Sequence, residues 1–330
     1  MMLSTLLASI CIATSPVDEV QPSRVMGYLR ALPEQRSPAP TPAHAEGLVE
    51  TEHWIEVTLH DMGYEVQRQH LVVFSPPEGS RIAEEDRAWH NLWIEIPGSE
   101  RPEEVIIVGA HFDAVPTTPG ADDNGTGTAC ALELARVLRG TAPKRTIRIV
   151  FFNLEEIGLV GSRLYAEEIV RPQIESGEIR VVGMVSLEML GYFSDEENSQ
   201  KSPVPAIPGV FEPRTVGDFI ALVGSSADQP FTRPFAEGMR QGSPDLHVFV
   251  FDILPTPIPD MRRSDHAPFW DIEVPACMLT DTSNFRTPHY HRPSDRVETI
   301  DRERFIQVVR GVVAGIWALA NPEGASPAAR

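Results

Sequence analysis

Residues able to bind a metal or move a proton recur in this sequence just past apolar runs. Residues 105–109 (VIIVG) lead into His111 and Asp113, and the loop behind them delivers Asp122, Asp123 and Asn124. A second run, 146–153 (TIRIVFFN), leads to Glu155 and Glu156, and a third, 181–187 (VVGMVSL), to Glu188. Far downstream, SNFRTPHYHRPSD offers His289, His291 and Asp295. Imidazoles and carboxylates without thiolates suit zinc, or manganese or cobalt, in a site that does chemistry. One zinc takes about three protein ligands and a water. The set here is large enough for two ions ~3.5–4 Å apart that share a carboxylate. Two cations would also offset the repulsion among the acids, which otherwise drives some carboxylates to take up protons. Each piece alone has an ordinary reading. Asp and Asn ahead of a helix cap its free N–H groups, a histidine at a strand end is commonly a surface or capping group, and paired glutamates suit a solvated loop. Their joint placement at successive strand ends argues for a site.

The elements that must position these groups follow from periodicity. Residues 105–109 form an unbroken apolar run, the pattern of a strand covered on both faces. Helical spacing follows over 125–138, a strand over 146–153, a helix over 159–170 and a strand over 181–187. Further strands are expected at 219–223, 247–251 and 276–280, and a closing amphipathic helix at 302–319. Upstream, 21–35 reads as a short amphipathic helix ended by Pro33. The proline-rich linker SPAPTPAH comes next, then a helix to Gly63 and two strands, EVQRQHLVV and HNLWIEIPG. Alternating strands and helices imply an α/β fold: a three-layer sandwich whose central mixed, largely parallel twisted sheet carries helices on both faces. Sites in such folds form beyond the carboxyl ends of the strands. We read residues 21–322 as one catalytic domain and 323–330 as a frayed tail. The segment 194–216, with its four prolines, reads as an insertion beside the site.

Composition narrows the function. With 330 residues, 42% of them hydrophobic, the chain can bury a large core. A net charge of −19, from 47 acids and 28 bases, argues against nucleic acid and anionic membranes as partners. No run approaches the ~20 apolar residues of a membrane span. The apolar stretch 3–13, with Cys11-Ile12-Ala13 for cleavage, reads as an export leader within residues 1–20, so the expected location is the periplasm or the medium, and the cytoplasm if that run is no signal. Cys11, Cys130 and Cys277 form no CxxC pair, which argues against a thiolate zinc site; Cys130 and Cys277 lie in apolar segments and read as buried thiols. No GxSxG nucleophile elbow is present, which disfavours a serine hydrolase. The sequence assigns no oligomeric state.

The stretches AHFDAV, PGADDNGTGTA, NLEEIGLVGS, SLEMLGY, RSDHAPF and YHRPSD, in that order, resemble the co-catalytic dizinc metallopeptidases. These are the bacterial leucyl aminopeptidases of the Aeromonas and Streptomyces type, with glutamate carboxypeptidase II and glutaminyl cyclase as distant relatives. The resemblance implies a zinc peptidase-like fold and two Zn2+ per chain, with Mn2+ or Co2+ as substitutes. It implies removal of N-terminal residues from peptides with a free N-terminus, through a metal-bridging water. By position, His111 and Glu188 would bind one zinc, Glu156 and His291 the other, and Asp123 would bridge them through a residue whose bond to Asn124 is cis. Glu155 would be the general base, and Asp113 would hold the His111 imidazole. Glu188 departs from the family, many of whose members carry Asp there. His289, two residues from His291, is its rival for ligation. His266 and Tyr290 would contact substrate, with Phe269 and Trp270 lining an apolar pocket. The alternatives on the same scaffold are glutaminyl cyclisation and carboxypeptidase action, the latter with Arg262, Arg263 and Arg286 for the terminal carboxylate. A silent binding domain, as in the transferrin receptor ectodomain, would be expected to lack ligands, and here every ligand position carries a competent residue.

Overall fold

The structure, a computed structural model, describes residues 15–71, 77–82 and 88–322. Most of the expected leader, the expected tail and the end of the strand EVQRQHLVV lie outside the described residues. Eight strands form a single sheet: β1 Gln67–Leu71, β2 Trp89–Ile96, β3 Arg101–His111, β4 Arg145–Phe152, β5 Arg180–Glu188, β6 Phe219–Val223, β7 His247–Phe251 and β8 Ala276–Thr280. Their order is β1-β2-β4-β3-β5-β8-β6-β7. The central four, β4-β3-β5-β8, run parallel. The pairs β1–β2, β2–β4 and β6–β8 are antiparallel, so the sheet is mixed, as the sequence led us to expect.

Alternation along β3 shows why both faces are covered. Ile106, Val108 and Ala110 join one apolar cluster, and Val105 and Ile107 another. The larger cluster takes in α1 (Pro22–Ala31), α2 (Pro42–Asp61), α3 (Gly127–Leu138), α6 (Gln229–Gly242) and α8 (Arg302–Ala320). The smaller holds Tyr165 of α4 (Val160–Tyr165) and Phe269 of α7 (Ala267–Asp271). Each fully buried Phe, Leu or Ile in these layers stabilises the fold by about 1.5–3 kcal/mol relative to exposure.

Three details differ from the sequence reading. Helix α2 begins at Pro42, inside the stretch read as a linker, because a proline in the first turn gives up only an N–H that has no helical partner there. The helix expected to end at Val170 continues through a wide turn, Ala166–Val170, into α5 (Arg171–Glu175), and that turn gives Pro172 room in the ladder. Helix α6 was not anticipated, because Pro230, Pro234 and two glycines disguise it. The segment 194–216 contains one isolated bridge, Ile207 to Phe211, and lays Val204 against Phe251 and Met261. Cys130 and Cys277 are buried and free. Among the described residues, no helix is long and apolar enough to cross a membrane.

A candidate metal centre at the carboxyl ends of the parallel strands

The chain runs from β3 to β4 on one side and then to β5 on the other side of β3. The loops leaving these strands therefore part, and the crevice between them is where such folds place their chemistry. His111 ends β3 and is fully buried. Its Nδ1 lies 3.1 Å from the Asp113 carbonyl oxygen, which leaves Nε2 facing the crevice. That Nε2 stands 3.3 Å from Glu188 Oε2, 3.5 Å from Asp123 Oδ1 and 3.9 Å from Glu155 Oε2. Across the crevice, His291 Nε2 stands 3.1 Å from Asp123 Oδ2 and 3.3 Å from Glu156 Oε2. Two imidazoles thus face the two oxygens of one carboxylate.

Backbone pins hold this arrangement. Asp295 accepts the N–H groups of Asp122 and Asp123 at 2.9 and 3.1 Å. The Asp123–Asn124 peptide is cis, as the family resemblance implied. Asn124 Nδ2 donates to the Leu187 carbonyl at 2.8 Å, and its Oδ1 accepts the N–H of Met189 at 3.1 Å, tying the loop to the end of β5. Asp122 turns the other way: its Oδ1 accepts from Gly191 N–H at 2.9 Å and Thr126 Oγ1 at 3.0 Å. The carboxylate of Asp113 accepts the N–H groups of Glu155 and Glu156 at 3.0 and 3.2 Å, so it positions the glutamate pair, and only at 3.5 Å does it approach the His111 ring. Gly161 lets α4 crowd the end of β4, since a Cβ there would meet the Asn153 carbonyl oxygen at 2.1 Å and Asn91 Oδ1 at 2.5 Å. Glu188 Oε2 accepts from Ser264 Oγ at 2.8 Å, and Ser264 bonds Ser186 Oγ at 2.8 Å.

Other expected residues are placed differently. His289 bonds Ser294 Oγ through Nδ1 at 2.9 Å and meets the Tyr192 ring edge-on, so it does not join the cluster. His266 is fully buried; its Nε2 lies 2.7 Å from the Met261 carbonyl oxygen, and burial pushes its pKa down to about 4. It is a neutral core residue, and the expected substrate contact is corrected. Phe269 belongs to the core, and Trp270 Nε1 is bonded to Asp228 and the Ala276 carbonyl, so neither lines the cleft. Tyr290 does line it, stacked 3.8 Å from the His291 ring. The cleft begins at Glu188 and Tyr290 and has a floor of Phe211, Phe219, Phe249, Phe251, Met261 and Met278. Lys201, Arg214 and Arg263 are exposed along it. Arg262 pairs with Asp271 at 2.6 Å and Arg286 is buried against Gln200, so of the three arginines considered for a terminal carboxylate only Arg263 reaches the cleft. Ser264, Asn91 and the cleft phenylalanines were missed from sequence. Ser264 lay inside the noted RSDHAPF stretch, whereas the partners of the others are set only by the fold.

The electrostatics are those of a site built for cations. Burial opposes charge on His111, yet Glu155 and Glu188 push its pKa well above the ordinary value. Burial likewise opposes His291, and Asp123 and Glu156 push it up to about 10. Asp123, despite burial, is held well below the usual carboxylate range by both imidazoles. Burial and Asp123 push Glu156 up to about 7. Burial pushes Glu155 well upward, with His111 pulling it back. His111 Nε2, His291 Nε2, Asp123 Oδ2 and Glu156 Oε1 are buried without a hydrogen-bond partner among the described residues. Donor atoms of His111, Asp123 and Glu156 lie within 4.8 Å of one another, as do those of His111, Glu155 and Glu188. Tetrahedral zinc, with bonds of about 2.0–2.1 Å to N and O, separates its ligand atoms by roughly 3.3 Å. The spacings of 3.1–3.5 Å around Asp123 match that edge, so the residues fit the ion.

Fold and site together define an α/β-sandwich protein with a candidate metal centre at the carboxyl ends of its parallel strands. Residues 91–316 match Peptidase family M28, and the chain belongs to that family. It is 31% identical over 316 residues to the uncharacterised protein YfbL of Escherichia coli (strain K12), an alignment covering 88% of this chain and 92% of YfbL. It is 28% identical over 246 residues to aminopeptidase YwaD of Bacillus subtilis (strain 168), covering 70% of this chain but only 45% of that relative. Among solved structures, an aminopeptidase from Aneurinibacillus sp. strain AM-1 superposes with a TM-score of 0.65 at 17% identity, over 93% of this chain and 95% of that one, a likeness of fold.

Proposed function

We propose that this protein is a zinc-dependent aminopeptidase with two ions per chain, Mn2+ and Co2+ being able to substitute. The observation that carries the reading is the facing of His111 and His291 onto opposite oxygens of Asp123. His111, Asp123 and Glu188 would hold one ion, and Asp123, Glu156 and His291 the other. The chemistry zinc supplies when bound is Lewis acidity toward a carbonyl and a water of near-neutral pKa. Glu155 is left as the proton carrier. Its backbone is fixed by Asp113 and its oxygen stands farther from His111 than those of Glu188 and Asp123, which suits a base that takes a proton and returns it to the leaving amine. Neighbouring Glu156 has its carboxylate against His291, which explains two glutamates in succession. The surplus of carboxylates suits a substrate ammonium, and the aromatic floor of the cleft suits a bulky apolar first side chain. We read residues 21–322 as the catalytic domain and 1–20 as a leader for export.

Metal analysis and a panel of aminoacyl-anilides, assayed before and after chelation, test this reading with Glu155→Gln beside the wild type. About two zincs, chelator-sensitive release and a variant that keeps its metal but loses roughly 10²–10⁴ in kcat are expected. Metal without anilide release, together with turnover of N-blocked peptides, would favour carboxypeptidase action, with Arg263 in the cleft as the carboxylate partner. A protein that takes up no zinc would sink the catalytic reading.

A further inference from the structure

The stretch 32–41 joins α1 to α2, and from it Arg36 reaches under the site with 2% of its surface exposed. Among the described residues, the acceptors of its guanidinium are backbone carbonyls. Nε donates to Phe112 at 2.8 Å, Nη1 to Pro33 at 3.0 Å and to Pro119 at 2.5 Å, and Nη2 to Gly120. The Arg36 carbonyl in turn accepts the N–H of Ala114 at 2.9 Å. Phe112 lies between His111 and Asp113, and Gly120 lies three residues before Asp123. One rigid fork therefore grips both ends of the loop that joins two of the residues facing the crevice. Gly120 has φ +64°, and a Cβ there would come within 2.7 Å of Arg36 Nη2 and 2.5 Å of the Asp123 carbonyl oxygen. The loop is thus closed on the guanidinium with no room for a side chain between them. Val25, Met26 and Leu29 of the preceding helix belong to the main core, so the fork has a fixed base.

We propose that Arg36 is a positioning residue of the metal centre: it sets the spacing between His111 and Asp123, and makes segment 22–36 part of the catalytic apparatus. The inference rests on the metal-centre reading above. Lysine cannot replace the fork, because an ammonium is a single point of charge while the guanidinium presents donors in a fixed plane. A group that only buttressed the fold would alter melting without altering the affinity of the folded protein for metal.

The test uses the full chain carrying Arg36→Lys. Arg139→Lys is the control, since Arg139 clamps the carbonyls of Met62 and Gly63 at 2.8 and 3.0 Å, away from the cluster. Zinc affinity is read by competition with a chromophoric chelator, and ligand geometry by the visible spectrum of the Co2+-loaded protein. Arg36→Lys is expected to weaken zinc by roughly 10–100-fold, the usual cost of losing an outer partner of a metal site. It should also change the cobalt spectrum and lower kcat more than it raises KM, while Arg139→Lys does none of these. A folded Arg36→Lys protein with wild-type affinity and spectrum overturns the proposal and leaves the aminopeptidase reading standing. Wild-type protein that binds no zinc overturns both. If Arg36→Lys does not fold, hydrogen exchange on the wild type decides. Stripping the metal should speed exchange in 112–124 and also in 33–37. Loosening confined to 112–124 overturns the proposal.

Discussion

Glu188 carries one methylene more than the aspartate common at its position in the resembling family, and its surroundings show how the extra length is taken up. Its Oε2 accepts from Ser264, which leans on Ser186, and both serines are fully buried. A hydroxyl relay thus aims the longer carboxylate at His111. We expect Ser264→Ala to weaken zinc binding by about 10–100-fold while the melting temperature of the chelated protein changes little, since metal-ligating carboxylates depend on their hydrogen-bond partners for orientation. Unchanged affinity in a chelator competition would show that Glu188 needs no such support. At this scale the sequence pointed to residues that the structure brings together, because His111 and Glu188 end β3 and β5 and Asp123, Glu155 and Glu156 follow closely on strand ends. It revealed partners poorly. Ser264 reaches Glu188 across 76 residues, a contact only the fold creates. His266, two residues further on, drew attention as a histidine in a motif and proved to be buried against the Met261 carbonyl.

Strands were the most legible elements. Runs such as 219–223, 247–251 and 276–280 match β6, β7 and β8, because each is a short apolar block bounded by loop residues. Helix α6 was hidden by prolines whose local cost is overridden by packing: Gly238 lies against Gly315 of α8, with only 2.8 Å between an added Cβ and the Gly315 Cα. The segment 194–216 was read as an excursion beside the site, but its lack of periodicity concealed what it contributes. Phe211 packs edge-to-face on Phe251 at 5.0 Å and adds to the aromatic floor of the cleft. Phe211→Ala should therefore cut kcat/KM for phenylalanyl- or leucyl-anilide by roughly 10-fold or more and leave alanyl-anilide nearly unchanged, because apolar pocket contacts of this size are worth about 1–3 kcal/mol in discrimination. Equal losses for all three substrates would place the first side chain elsewhere.

For the molecule as a whole, the concentration of acid at one buried edge sets how stability responds to pH and metal. Burial and Asp122 push Asp295 up to about 7, and burial pushes Asp265 and Glu155 upward as well. His111 and His291 are raised by the carboxylates they face. Every one of these folded-state values lies above its unfolded counterpart, so the metal-free folded protein holds more protons than the unfolded chain. For Asp295 and Asp265, this contribution is present below the ordinary carboxylate range and is lost as pH rises through about 7, and for Glu155 it is lost as pH rises through its raised folded value. For the histidines it is present below about 6.5 and is lost as pH rises toward their folded values. Each such proton changes stability by on the order of 1.4 kcal/mol per pH unit. Buried His266, whose shift has the opposite sign, is neutral in both states above about pH 6.5 and does not offset the trend there. The chelated protein should therefore lose roughly 5–10 °C of melting temperature between about pH 6.5 and 8.5. The zinc-loaded protein should hold steady or gain over the same range, because the metal displaces those protons and binds more tightly as they leave. Thermal melts of the two forms across that window check the expectation. A chelated protein that grows more stable with rising pH would mean that these acids and imidazoles do not share one buried, cation-free cluster.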